Sequence, residues 1–234
     1  MTKLIHKYLR HNKKMPHMWC PGCGNGMIVG SLVRAVHKMK IKKDEVALVS
    51  GIGCSGRMSV YLDFNTLHTT HGRALTFATG IKLANPKLHV ITVMGDGDCM
   101  SIGGNHFLHA CRRNLDITAL IINNQVYGMT GGQCSPTTPL DYTTTTTLDG
   151  NKVSPLNIPD IAVAAGASYV ARGTVFHAQQ LDKMLVKAVR HEGFSVVEIM
   201  STCTTHLGRK NGTKSPVEAL QWLGKNVEPE VFKE

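Results

Sequence analysis

The sequence predicts an α/β fold in which helices wind on both sides of a parallel sheet, the doubly wound parallel arrangement. Short runs rich in β-branched residues, at 88–94 and 117–122, alternate with longer segments of helical character. Two strands joined through a helix in this way are parallel. The length of 234 residues suits one such domain, and a hydrophobic content of 42% is typical of a globular protein.

The elements can be placed one after another from the amino terminus. Residues 1–19 are polar and basic, and we expect them to form a loosely structured arm. Residues 45–50 form an apolar strand that runs into a glycine-rich loop, whereas 71–83 is a helix of small residues and 178–190 an amphipathic helix. Helices are predicted at 26–40, 71–83, 101–113, 158–166, 178–190 and 216–226. Strands are predicted at 45–50, 88–94, 117–122, 168–171 and 195–200.

Residues 133–157 are the longest segment without predicted regular structure, because prolines and a run of five threonines interrupt it. A long ordered loop beside a site is often a lid or a partner contact. We expect three parts in the chain: a basic arm at 1–19, a central domain at 20–210 and a C-terminal helical extension at 211–234.

The net charge of +10 is unevenly distributed, since residues 1–43 contain ten Lys or Arg and no Asp or Glu. This surface is interpreted as a solvated basic face or as a docking face for an acidic protein or a phosphorylated ligand. No nucleic-acid motif accompanies it, so no nucleic-acid partner is expected. The sequence has no apolar run of membrane-spanning length and no signal peptide, so we expect a cytoplasmic protein with reduced cysteines.

The segment Gly95–Asp98 reads GDGD, follows a predicted strand, and precedes Asn124 at the end of the next strand. Asp96 and Asn124 should therefore lie at the carboxyl edge of the sheet, where open α/β sheets bind ligands. One carboxylate and one amide oxygen suit a Mg²⁺ that completes its shell with phosphate and water. The alternative is a glycine-rich turn with a capping aspartate.

Four cysteines are expected to meet at the same edge of the sheet. Cys20 and Cys23 form a CxxC turn, Cys54 follows the strand at 45–50, and Cys203 follows the last strand. Four such thiolates can hold a [4Fe–4S] cluster or a structural zinc, and the residues alone leave both open. The other cysteines share no such pattern: Cys99, Cys111 and Cys134.

The GDG motif followed by Asn124 resembles the diphosphate-binding motif of thiamine-diphosphate enzymes. The resemblance implies that Asp96, Asn124 and the backbone carbonyl of Val126 hold Mg²⁺. Together with CxxC, GIGCS, THGRA, GGNH, YGMTGGQ and a late cysteine, it extends over about residues 16–210 to the β subunit of 2-oxoacid:ferredoxin oxidoreductases. That family decarboxylates a 2-oxoacid with thiamine diphosphate and removes the electrons one at a time, which implies a [4Fe–4S] cluster rather than zinc.

The resemblance also implies which residues touch each group. Cys20, Cys23, Cys54 and Cys203 would hold the cluster. Further residues match the family's thiamine-diphosphate contacts: Ile52, Gly53, Cys54, Ser55, His71, Gly97, Asp98, Gly128 and Met129. Arg57 matches a basic position in members that favour 2-oxoglutarate, where its guanidinium would bind the distal carboxylate.

The family places the glutamate that activates thiamine diphosphate on an α subunit, so no catalytic residue is assigned with certainty in this chain. The resemblance implies an (αβ)₂ assembly or one with added small subunits, coenzyme A as a substrate, and ferredoxin as the electron acceptor. We therefore expect oxidative decarboxylation of 2-oxoglutarate to succinyl-CoA, with pyruvate or another 2-oxoacid as the alternative.

Two remote alternatives have other chemistries. Residues 51–56 match GxGxxG, which favours a nicotinamide-dependent dehydrogenase, but no acidic residue ends a second strand about 20 positions later. A zinc-stabilised nucleic-acid-binding protein would use the same four cysteines. Iron–sulfur protein purified without oxygen is brown, whereas the zinc protein is colourless.

Overall fold

The structure is a computed structural model that describes residues 2–13, 15–213 and 215–234. Its α-helices are α1 (Thr2–Tyr8), α2 (Asn25–Met39), α3 (Met58–Tyr61), α4 (Ala74–Ala84), α5 (Gly104–Arg113), α6 (Ile158–Ala164), α7 (Ala178–Arg190) and α8 (Pro216–Asn226). Its strands are β1 (Val46–Ser50), β2 (Asn65–His68), β3 (His89–Gly95), β4 (Ile117–Asn123), β5 (Val126–Tyr127), β6 (Gln133–Cys134), β7 (Tyr169–Thr174), β8 (Phe194–Met200) and β9 (Glu230–Lys233).

Seven strands form the central sheet in the order β2-β1-β3-β4-β8-β7-β9. All neighbouring pairs are parallel except β7 with β9, which are antiparallel. Strands β3 and β4 lie side by side near the middle, with Gly95 opposite Ile122. The predicted doubly wound parallel sheet is confirmed, and it gains an antiparallel edge strand.

The central strands send alternate residues into two separate cores. Leu48 and Ile91 join the core covered by α2 and α7, whereas Val49 and Val90 join the core covered by α4 and α5. Both faces of the sheet are therefore buried, which is why its inner strands read as continuous apolar runs.

Several elements differ from the sequence prediction. The arm expected at 1–19 begins with α1, which packs against α2 through a hydrogen bond from Tyr8 to His37 (3.1 Å). Strand β2 was missed because its sequence, NTLH, is polar and mostly exposed at the sheet edge. Helix α5 starts at Gly104 rather than near 101, because a π-helical turn occupies Asp98–Ile102.

The segment predicted to be irregular, 133–157, begins with the short strand β6 at Gln133–Cys134, and the remaining loop at 135–157 has no helix or strand. The backbone of this loop is held by polar side chains. Asn151 donates to the backbone carbonyls of Thr138 (2.7 Å) and Val153 (2.8 Å). Asn211 accepts from the backbone N–H of Thr143 (2.8 Å) and donates to its carbonyl (2.9 Å). Side-chain amides thus supply the hydrogen bonds that regular structure would otherwise provide.

The lysine cluster at 38–43 lies at the far end of α2 from the CxxC turn. The helix starts beside Cys23 and has 15 residues, so it separates the two by about 22 Å. Lys43 pairs with Asp63 (2.5 Å) and Lys42 with Glu45 (4.0 Å). Among the described residues, no helix is both long and apolar enough to cross a membrane.

Candidate functional site

Asp96 and Asn124 lie where predicted, directly after the adjacent strands β3 and β4. Both line one cavity of about 170 Å³ at the carboxyl edge of the sheet. The same cavity is lined by these predicted residues: Ile52, Gly53, Cys54, Ser55, His71, Gly97, Asp98, Val126, Gly128 and Met129. Four predicted residues are not among its lining: Arg57, Cys20, Cys23 and Cys203.

The carboxylate of Asp96 is almost completely buried, at 2% exposure. Its Oδ2 accepts hydrogen bonds from the hydroxyls of Ser135 and Thr137, each at 2.6 Å. Burial raises the pKa of Asp96 to about 6, although these hydroxyls and the backbone N–H of Asn124 lower it. Asp96, the Asn124 amide and the Val126 carbonyl offer a set of hard oxygen donors around one cavity, which is the donor chemistry that Mg²⁺ takes.

Asp98 connects three loops rather than pointing to open space. Its Oδ1 accepts from the backbone N–H of Gly72 (2.7 Å) and contacts Nδ1 of His71, while Oδ2 accepts from the backbone N–H of Ile52 (3.3 Å). A carboxylate beside one ring nitrogen places the proton on that nitrogen and fixes the ring. Asp98 therefore orients His71, whose ring also lies edge-on to Tyr127.

Two glycines allow this close packing. A side chain at Gly51 would begin 1.6 Å from Asp98 Oδ2, and one at Gly97 would begin 2.3 Å from the ring of Tyr127. Tyr127 in turn donates to the Gly97 carbonyl (3.2 Å). The glycines of the two motifs are thus needed for contacts within the protein as well as for access to a ligand.

The four predicted cluster thiols converge beside this cavity. Cβ of a side chain at Gly128 would lie 3.5 Å from Sγ of Cys203 and 3.7 Å from Sγ of Cys54. Burial raises the pKa of Cys54 to about 11, with further contributions from Cys23, Cys203 and Cys20. Within the described residues, no three His, Cys, Asp or Glu side chains form a group that could hold a single metal ion.

Hydrogen bonds hold the loops that carry the thiols. Nε1 of Trp19 donates to the carbonyl of Cys54 (2.8 Å), and the Thr202 hydroxyl donates to the carbonyl of Gly22 (2.6 Å). A second cavity, of about 280 Å³, lies between the Cys203 loop and α8, and Asn124 lines both cavities. Asn124 therefore lies between the cavity lined by the oxygen donors and the cavity lined by Cys203.

Arg57 lies in a 3₁₀ turn at 55–57, three residues after Cys54. Its Nε is buried and has no hydrogen-bond partner within the described chain. A buried guanidinium nitrogen without a partner calls for an acceptor that the isolated chain does not supply.

Sequence reasoning missed several residues of the site. Asn25 is 1% exposed, lines the 170 Å³ cavity, and donates from Nδ2 to Sγ of Cys23 (3.2 Å), while its Oδ1 has no partner in the described chain. Its position two residues after the CxxC turn could have suggested it. Ser135 and Thr137 come from the irregular loop, where no pattern marks them.

Comparisons with known proteins agree with this geometry. Residues 44–199 match the family described as thiamine pyrophosphate enzyme, C-terminal TPP binding domain. The chain is 53% identical over 219 residues to the 2-oxoglutarate synthase subunit KorB of Archaeoglobus fulgidus, covering 94% of this chain and 79% of that one. It is 47% identical over 188 residues to the β subunit of 2-oxoacid:ferredoxin oxidoreductase 2 of Aeropyrum pernix, covering 80% of this chain and 61% of that one.

A solved structure is also similar. The 2-oxoglutarate:ferredoxin oxidoreductase of Magnetococcus marinus, with 2-oxoglutarate, coenzyme A and succinyl-CoA bound, superposes with a TM-score of 0.83 and 39% identity, covering 86% of this chain and 68% of that chain. The resemblance stated from the motifs is confirmed. This chain belongs to the thiamine pyrophosphate enzymes and, within them, to the β subunits of the 2-oxoacid:ferredoxin oxidoreductases.

Proposed function

We propose that this chain is the β subunit of an enzyme that converts 2-oxoglutarate and coenzyme A to succinyl-CoA and CO₂ and passes the electrons to ferredoxin. The observation that carries the proposal is that the oxygen donors and the thiols lie at the same carboxyl edge of the sheet. Asp96 and Asn124 line one cavity, and the loops of Cys54 and Cys203 adjoin it. Thiamine diphosphate, when bound, supplies a nucleophilic carbon for decarboxylation, and an iron–sulfur cluster supplies a one-electron acceptor.

In this proposal Asp96, the Asn124 side chain and the Val126 carbonyl hold Mg²⁺, which neutralises the diphosphate. Ile52, Gly53, Ser55, Gly97, Gly128 and Met129 surround the cofactor. His71 approaches the diphosphate with its ring fixed by Asp98. Because the Asp98 carboxylate already accepts from the backbone N–H groups of Gly72 and Ile52 and contacts His71, we assign it an indirect role through His71.

The cluster would be held by Cys20, Cys23, Cys54 and Cys203. A [4Fe–4S] cluster takes one thiolate on each iron, so its ligands need not crowd around a single ion. Cys23 and Cys54 have raised pKa values because they are buried, with the neighbouring thiols adding to the effect, and cluster binding would relieve this by converting the thiols to iron-bound thiolates.

Arg57 is proposed to select the substrate. The distal carboxylate of 2-oxoglutarate would give the buried Nε of Arg57 an acceptor. Pyruvate lacks that group and would leave Arg57 unpaired. The relatives named for 2-oxoglutarate, and the solved relative with that acid bound, support the same choice.

Two partners complete the proposed enzyme. An α subunit contributes the glutamate that activates the cofactor, as in the family, and the relatives themselves are named as subunits. Ferredoxin would approach the side of the cluster where Cys20 is exposed, rather than the lysines at 38–43, which lie about 22 Å away along α2.

The test is to combine the purified chain with its α subunit without oxygen and follow ferredoxin reduction. Reduction should require 2-oxoglutarate and coenzyme A, and pyruvate should be poorer by at least about tenfold in kcat/KM. A preference for pyruvate would contradict the substrate while leaving the family unchanged. Turnover by this chain alone would contradict the role given to the α subunit.

A further inference from the structure

A group of buried hydroxyls lies behind the carboxylate of Asp96. Ser135 and Thr137 are 5% and 3% exposed, and both belong to the irregular loop at 135–157. Each hydroxyl lies 2.6 Å from the same oxygen, Oδ2 of Asp96. This loop is far from Asp96 in sequence and has no other evident part in the site.

The hydrogen-bond partners determine where the Thr137 proton goes. Nδ2 of Asn123 donates to Glu198 (2.7 Å), which can only accept, so the Asn123 Oδ1 faces Thr137. That oxygen already accepts from the backbone N–H of Gln125 (3.1 Å). The contact of Thr137 with Asn123 is 3.0 Å, whereas its contact with Asp96 is 2.6 Å, so the hydroxyl donates to the carboxylate.

The Ser135 hydroxyl is arranged in the same way. Its oxygen accepts from the backbone N–H of Thr137 (3.4 Å). Its single proton goes to Asp96 at 2.6 Å, because the hydroxyls of Thr137 and Thr138 are farther away, at 3.2 and 3.3 Å. Both donors therefore meet on Oδ2. Oδ1, which receives neither hydroxyl, is the oxygen that the proposal assigns to the cation.

Further hydrogen bonds fix the loop that carries Ser135 and Thr137. The Thr138 hydroxyl accepts from the backbone N–H of Ser135 (2.8 Å) and donates to the carbonyl of Gln125 (2.7 Å). On the other side, Glu198 is 1% exposed and pairs with Arg172 (2.5 Å). The loop is thus attached to Asn123 at the end of β4 and to Gln125 just after it, and Asn123 is in turn bonded to Glu198 of β8.

We propose that Ser135 and Thr137 are positioning residues that orient the Asp96 carboxylate for Mg²⁺. The inference rests on the proposed role of Asp96 in the Mg²⁺·thiamine diphosphate site. The two hydroxyls turn one carboxylate oxygen away from the metal and stabilise the charged form in a buried place. Removing partners of this kind typically weakens metal binding about 10- to 100-fold.

The test uses the complex of this chain with its α subunit. The hydroxyl donors are removed singly in Ser135→Ala and Thr137→Val and together in the double variant. Thr137→Ser keeps a hydroxyl at position 137. Thr144→Val is the matched control, because Thr144 is a buried threonine of the same loop whose hydroxyl bonds only within the threonine run. Calorimetry of thiamine diphosphate binding across a Mg²⁺ series gives the metal affinity, and kcat is measured at saturating Mg²⁺.

The double variant should lose about 10- to 100-fold in Mg²⁺ affinity. Its kcat should recover at saturating Mg²⁺, while Thr137→Ser and Thr144→Val should match the wild type. If the double variant fails to fold, Ser135→Ala alone should still lower the affinity several-fold. Equal Mg²⁺ affinity in the Ser135→Ala, Thr137→Val and Thr144→Val complexes would overturn the inference.

Asp96→Ala separates this inference from the proposed function. Loss of cofactor binding in Asp96→Ala, with no effect of the hydroxyl variants, would retain the metal site and reject the positioning role. Normal Mg²⁺-dependent binding in Asp96→Ala would reject both.

Discussion

The oxygen donors and the thiols at the carboxyl edge of the sheet are held in different ways. Asp96 is surrounded by donors that stabilise its carboxylate and set its orientation within the chain alone. The thiols are brought together by separate loops, and burial raises the pKa of Cys23 and Cys54 above the usual thiol value. Burial also raises the pKa of Asp96, to about 6, so in the proposal a bound metal would favour the charged form at both sites; the difference is that Ser135 and Thr137 already orient the carboxylate.

The largest effect is expected when the thiol of Cys203 is removed. Cys203→Ala should lose the cluster and abolish ferredoxin reduction, because three thiolates leave one iron of a [4Fe–4S] cluster without a protein ligand. Iron and acid-labile sulfide analysis of the anaerobic complex measures this. Cys111→Ala is the control, since Cys111 is buried in α5 away from these loops and should keep full iron content. Full iron in Cys203→Ala would remove Cys203 from the ligand set.

The next largest effect is expected when the carboxylate of Asp96 is removed. Asp96→Ala should weaken thiamine diphosphate binding in the presence of Mg²⁺ by about 100-fold or more, or ~2.7 kcal/mol, because an anionic ligand is lost. Calorimetry on the complex gives the affinity. Asp141→Ala, which removes an exposed carboxylate paired with Lys152, should have no effect. The cluster should survive in both, and its loss in Asp96→Ala would show that the two centres are not separable.

A smaller effect concerns the substrate. Arg57→Ile should reduce the preference for 2-oxoglutarate over pyruvate by about 10- to 100-fold in kcat/KM, since one charge-assisted contact is worth roughly 1.5–3 kcal/mol. Arg57→Lys keeps the charge but not the paired hydrogen bonds, so its ratio should fall between the two. An unchanged ratio in Arg57→Ile would mean that another residue selects the acid.

The smallest effect concerns His71, which is proposed to lie beside the diphosphate. His71→Gln should weaken thiamine diphosphate binding about 3- to 10-fold, the loss of one net hydrogen bond of about 1 kcal/mol. His106→Gln is a suitable control because His106 contacts Arg73 and lines neither of the two cavities described above. Equal affinities for the two variants would assign His71 to packing.

The sequence predicts the parts of this site that local patterns encode. Asp96 and Asn124 could be placed because each follows an apolar strand of a βαβ unit, and parallel strands bring their carboxyl ends together. The motif glycines likewise mark the loops. The fold class follows from the same alternation.

Other parts depend on contacts that no local pattern records. Ser135 and Thr137 lie in an irregular loop, and only the folded chain brings them to Asp96. Strand β9, at Glu230–Lys233, is exposed and pairs only at an edge of the sheet, so its sequence carries little apolar signal.

The proposed function makes the oxygen site and the thiol site adjacent parts of one electron path. Low-temperature electron paramagnetic resonance on the anaerobic complex, frozen after 2-oxoglutarate and coenzyme A are added, tests it most directly. The wild type should show the signal of a reduced [4Fe–4S] cluster, whereas Asp96→Ala, with full iron content, should show none until dithionite is added. A substrate-dependent signal of wild-type size in Asp96→Ala, or no signal in an iron-replete wild type that turns over, would contradict the account.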